Sequence, residues 1–191
     1  MKILHLDSSI LGDNSVSRAI SAAIVDQFLA REPHAEITYR DLAAEPPAHL
    51  TLDTWSTLDQ GPDVRQFLDS DVVVIGAGFY NFTIPTQLKA WIDRVAVRGK
   101  TFSYDENGVV GLAANKRVII GLARGNVYGE ASPFQSFEHA ETLMRSIFTF
   151  LGAKPEFIIA EGIGRGEEAR RSALSAALTQ ARGVAQPATP A

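Results

Sequence analysis

Five short apolar runs, at residues 3–6, 37–39, 72–75, 118–122 and 157–160, recur along the chain and are separated by segments of helical spacing. Parallel strands need a crossover of a dozen or more residues between them, and a helix is the usual crossover. Strands covered on both faces read as continuous Val, Ile and Leu, and Val72-Val73-Val74-Ile75 is of this kind. The alternation predicts an α/β fold: a doubly wound five-stranded parallel sheet of order 2-1-3-4-5 with helices on both faces.

The segments between the runs predict the helices. The first covers residues 15–30 and is stopped by Pro33, and a second lies at 63–68 with Phe67 and Leu68 turned inward. Leu88, Trp91, Ile92 and Val95 fall at i, i+3, i+4 and i+7 on a helix that Pro85 opens and Gly99 closes. Two further helices are expected over 136–151, with Gly152 as the stop, and over 167–182. Residues 44–61, with Pro46 and Pro47 and no clear period, read as a surface excursion. Residues 1–182 read as one domain and 183–191, small residues and proline, as a frayed tail.

Composition excludes several functions. A net charge of −4 gives no electrostatic support for nucleic acid or an anionic membrane as partner. The chain has no cysteine, so disulfides, iron–sulfur clusters, thiol redox centres and thiolate zinc sites are excluded, and redox chemistry must come from a cofactor. The apolar run at the N-terminus is ended by Asp7, too short for a secretory signal, and no stretch approaches a transmembrane length. A soluble cytoplasmic protein is expected.

In a doubly wound sheet ligands bind beyond the carboxyl ends of the strands, where strand order reverses, here between the first and third strands. The loop after the first strand brings Ser9, Ser15 and Ser17 to the start of a helix, with no glycine fingerprint and no lysine. A helix N-terminus exposes unpaired N–H groups and a partial positive charge, so hydroxyls there can hold a terminal phosphate. Alone, the pattern reads first as a simple helix cap by Asn14 or Ser15, and the rest of the chain turns it toward a phosphate. The loop after the third strand, Gly76 to Pro85, interleaves Phe79, Tyr80 and Phe82 with the amide of Asn81, which suits a planar heterocycle. The loop after the fourth, Ala123-Arg124-Gly125-Asn126-Val127-Tyr128, offers backbone donors, an arginine and a phenol able to stabilise charge developing on a reduced ring.

Other signals are set aside. Gly99-Lys100-Thr101 imitates a P-loop end, but Arg94 stands at the upstream glycine position. Gly162, Gly164 and Gly166 lack a following strand and read as a tight connection. His5 is placed in the strand core, His34 and His49 in loops and His139 on a helix, an arrangement that predicts no metal site. Asp7 lacks the acidic pair and lysine of a phospho-acceptor module.

The chain resembles the FMN-dependent NADH-azoreductases, a branch of the flavodoxin-like quinone reductases, from about residue 2 to residue 182. The resemblance rests on Tyr80-Asn81-Phe82-Thr83-Ile84-Pro85-Thr86-Gln87-Leu88-Lys89, supported by Ser9 with Ser15-Val16-Ser17, Thr101-Phe102, Glu106-Asn107-Gly108, Gly111-Leu112 and Ala160-Glu161-Gly162. It implies that Ser9, Ser15, Val16 and Ser17 hold the FMN phosphate and that Phe79, Tyr80, Asn81 and Phe82 line the isoalloxazine ring. Ala123, Arg124, Gly125 and Asn126 would stand at the pyrimidine edge, with Asn81 and Tyr128 nearest the chemistry. It further implies a homodimer in which Phe102 and Phe150 cover the ring from the partner chain, and alternating use of one pocket by NADH or NADPH and by a quinone or azo acceptor. Gly78, Phe79, Ala123, Asn126 and Tyr128 depart from the residues common in that family, so FMN affinity and acceptor preference are its open properties. A flavodoxin-like electron carrier without nicotinamide turnover is the alternative, disfavoured because such carriers are usually strongly acidic. A regulatory module for some other phosphorylated ligand ranks below it.

Overall fold

The computed structural model of the protein describes residues 1–184. In chain order its elements are β1 (Lys2–Asp7), α1 (Val16–Arg31), β2 (Glu36–Asp41), α2 (Leu52–Trp55), α3 (Pro62–Asp69), β3 (Val72–Gly78) and α4 (Thr86–Val95). There follow β4 (Phe102–Asp105), β5 (Gly108–Gly111), β6 (Arg117–Arg124), α5 (Ala140–Phe150), β7 (Lys154–Glu161) and α6 (Glu167–Ala181). Five strands form one sheet in the order β2-β1-β3-β6-β7, every pair parallel.

Side chains alternate across a strand, and the sheet divides its apolar residues accordingly. Leu4 and Leu6 of β1, Val73 and Ile75 of β3, and Val118, Ile120 and Leu122 of β6 face α3, α4 and α5, where Phe67, Leu88, Trp91, Met144 and Phe148 are fully buried. Ile3, Val72, Val74, Ile119 and Ile158 face the other way, onto Ile20, Ile24 and Phe28 of α1 and Ala177 and Ala181 of α6. The helices thus cover both faces, and the central strands need the unbroken apolar runs read from their sequence.

The structure revises several expectations. β4 and β5 pair as a separate antiparallel hairpin that the five-run reading omits, so the last two strands of the sheet are the sixth and seventh of the chain rather than the fourth and fifth. Each hairpin strand has only four residues, too few for a period, and Glu106-Asn107 forms the turn between them. Residues 44–61 include the short helix α2, closed by reciprocal hydrogen bonds between Thr51 and Thr54. Gly99 lies in a turn beyond α4, which ends at Val95 with Ala96 N–H on the Ile92 carbonyl.

α5 starts at Ala140, not 136, because the Glu138 carboxylate accepts the N–H groups of Ala140, Glu141 and Thr142 at 2.9, 2.8 and 3.2 Å. His139 therefore sits at the cap and not on the helix. Gly183 and Val184, at the start of the expected tail, continue α6 in a turn, Val184 N–H meeting the Ala181 carbonyl at 3.1 Å. Residues 185–191 lie outside the described residues.

Candidate active site

Ser15 is the N-cap of α1: its backbone is extended and its Oγ accepts the Arg18 N–H at 3.3 Å. The first α-helical bond is Ala19 N–H to the Ser15 carbonyl, so the N–H groups of Val16 and Ser17 are the free pair that a helix start leaves. Ser17 Oγ lies 3.1 Å from Ser15 Oγ. Ser9 Oγ lies 3.0 Å from the Tyr80 hydroxyl, which also accepts the Ile10 N–H at 3.3 Å. Tyr80, expected only as a ring wall, therefore ties the loop after β1 to the loop after β3. Asp7, at the end of β1, is buried and occupied, accepting Ser21 Oγ at 2.7 Å and Tyr39 Oη at 3.2 Å.

Beyond β3, Tyr80 and Thr83 exchange N–H···O bonds of 2.9 and 3.1 Å across a two-residue turn. Asn81 and Phe82 hold its corner at φ 46° and 73°. Positive φ at both central positions is the primed hairpin turn, easy for asparagine and strained for a phenylalanine. The strained residue is anchored from outside: the Phe82 carbonyl takes the His139 N–H at 3.0 Å, and its ring packs on Phe137 at 5.1 Å. Phe79 meets Tyr128 at 4.6 Å between ring centres. The phenol of the β6 loop is thereby brought beside the β3 loop.

A cavity of about 280 Å³ joins these parts, lined by Ser9, Ser15, Val16, Ser17, Phe79, Tyr80, Ala123 and Gly125 among the expected residues. A side-chain carbon on Gly125 would meet no atom within 4 Å and would project into open space. Asn81, Phe82, Arg124, Asn126 and Tyr128 do not line this cavity. The Arg124 side chain turns inward, bonded to Glu161 at 2.9 Å and Glu141 at 2.7 Å, with Glu138 at 3.2 Å. Phe102 and Phe150 pack on each other at 4.7 Å, and Phe102 lines a different cavity with Trp55 and Val97.

The sequence reading placed Gly78 in the ligand loop but missed Leu11, Ile163, Gly164 and Arg170 on the wall. Residues 162–164, read as a connection, extend the pairing of β7 with β6: Gly162, Ile163 and Gly164 donate to the carbonyls of Asn126, Arg124 and Gly125 at 3.2, 3.2 and 2.8 Å. Their glycines were a visible signal, but only the fifth strand's place beside β6 turns that signal into a wall. The arrangement can hold a phosphate dianion at one end and a flat ring against Phe79 and Tyr80 at the other.

A doubly wound parallel sheet with a hydroxyl-lined helix start and an aromatic loop meeting at its switch point defines the flavodoxin-like class of α/β proteins. The sequence profile of the flavodoxin-like fold family matches residues 1–184, and the chain belongs to that family. It is 50% identical to an FMN-dependent NADH:quinone oxidoreductase of Xanthomonas campestris pv. campestris, over 94% of this chain and 97% of that one. It is equally 50% identical to FMN-dependent NADH:quinone oxidoreductase 2 of Bradyrhizobium diazoefficiens, over 95% and 97%. Among solved structures, an azoreductase from Bacillus anthracis str. Sterne superposes with a TM-score of 0.87 at 27% identity, over 96% of this chain and 98% of that one.

Proposed function

We propose that the protein is an FMN-dependent oxidoreductase that oxidises NADH or NADPH and reduces quinones to hydroquinones and aromatic azo compounds to amines, both substrates using one pocket in turn. The observation that carries this reading is the cavity at the switch point, which joins the serine-lined start of α1 to the Phe79 and Tyr80 rings. The names of the two half-identical relatives support it. The residues fit FMN: Ser9, Ser15 and Ser17 with the Val16 and Ser17 N–H groups suit its phosphate, and the bare backbone at Gly125 leaves room at the ring edge. Bound FMN would supply the two-electron hydride chemistry that no side chain of a cysteine-free chain can provide.

The chain's own residues position and screen. Phe79 and Tyr80 form an apolar wall, and the Asn81–Phe82 turn is anchored by the His139 N–H on the Phe82 carbonyl. Tyr128, whose ring meets Phe79 at a tilt of 46°, is the group we assign to orient an acceptor or donate a proton to it. Phe102 and Phe150 lie away from the cavity in one chain, so their expected role over the ring requires a second copy, in a homodimer. We place the enzyme in the cytoplasm, working as one FMN-binding domain over residues 1–182; no helix among the described residues is long and apolar enough to cross a membrane.

Anaerobic rapid mixing of the FMN-saturated protein with NADH tests the reading. Loss of the yellow absorbance at a rate that saturates with NADH is expected. Bound FMN that stays yellow with both NADH and NADPH would overturn nicotinamide turnover and leave an electron carrier.

A further inference from the structure

Arg170, in the first turn of α6, borders the cavity together with Ser9, Ser15 and Ser17. It is half-buried, and its guanidinium donates to the carbonyl of Asn14, the residue ahead of the α1 cap. No carboxylate lies within ion-pair distance of it among the described residues. Two other arginines near the cradle are occupied. Arg18 is bound by both oxygens of Asp41 at 2.7 Å each, and Arg124 is enclosed by three glutamates. Arg170 also stands at the wrong end of its own helix, because the partial positive charge of a helix N-terminus repels a cation in the first turn. Glu167 and Glu168 share that turn without pairing with it, which leaves a half-buried cation directed at the start of a second helix.

We propose that Arg170 is the charge-bearing residue of the phosphate cradle, making the cavity select the phosphorylated flavin over its unphosphorylated form. This rests on the flavin reading above and deepens it. Hydroxyls and amides can orient a phosphate dianion, but they do not neutralise it; a guanidinium supplies a full charge in a planar fork suited to phosphate oxygens. The alternative is that Arg170 only pins α6 to the loop before α1 through Asn14.

Binding of FMN and of riboflavin to the purified apoprotein, followed by quenching of flavin fluorescence, separates the two. Arg170→Gln keeps a donor for the Asn14 carbonyl and removes the charge; Arg170→Lys keeps the charge. Arg170→Gln is expected to weaken FMN about tenfold or more, with riboflavin affinity unchanged, a smaller loss in Arg170→Lys and a shallower dependence of FMN binding on salt. Parallel losses for both flavins, or no loss for FMN in a variant that melts like the wild type, would overturn the assignment. Wild-type protein that binds neither flavin would instead overturn the flavin reading itself, and the assignment with it.

Discussion

Arg124 is only 2% exposed, and its guanidinium is shared by three carboxylates, two at the start of α5 and one at the end of β7. Glu161 uses the same Oε1 to accept the Tyr128 N–H at 2.9 Å, so the cage also fixes where the β6 loop leaves the sheet. Removing one partner of a buried ion pair costs more than the pair contributes, because the other charges stay buried without compensation. Arg124→Met should therefore lose about 3 kcal/mol of stability in urea denaturation. A loss within the error of an exposed substitution would show that the cage is idle. From the sequence Arg124 reads as a ligand contact because it follows a strand at the expected site. Its partners Glu141 and Glu161 lie 17 and 37 residues away, and only packing brings them in.

At the scale of elements, the β4–β5 hairpin is the least legible piece and is closely docked. A side chain on Gly111, the last residue of β5, would collide with the backbone of Gly152 beyond α5. The Ala113 N–H on the Leu151 carbonyl at 2.8 Å ties the two segments together. Gly111→Ala should cost roughly 1–3 kcal/mol by overpacking, read as a lower thermal midpoint. An unchanged midpoint would mean that the backbone yields there. By contrast α1, α3 and α6 fall within a residue or two of their expected bounds, because each has a strong local cap or an apolar face. α5 does not, since its start is set by the Glu138 carboxylate.

For the molecule as a whole, carboxylates held by arginines favour the folded state at neutral pH. Burial pushes the Glu141 carboxyl up, but hydrogen bonds from Arg145 and Arg124 outweigh it and hold the group below its ordinary value of 4.5. A proton then goes to the unfolded chain first, so this contribution is complete above about pH 4.5 and is lost as pH falls through the folded value. The Arg18 guanidinium does the same for Asp41. Glu141→Gln should flatten the fall of stability below that pH when urea midpoints are compared across an acid series. A variant whose acid limb runs parallel to the wild type's would show that Glu141 does not take part.

The sequence alone determined the alternation of strands and helices, the sheet strands and the serines at the start of α1, because strand burial, helical period and helix capping are local and leave their pattern in neighbouring residues. Tertiary structure decided which loops share the cavity, that Arg124 serves the interior and that Arg170 reaches the cradle. Those outcomes depend on charges and glycines meeting across strand order, and a contact between residues more than a hundred positions apart leaves no periodic trace in the chain.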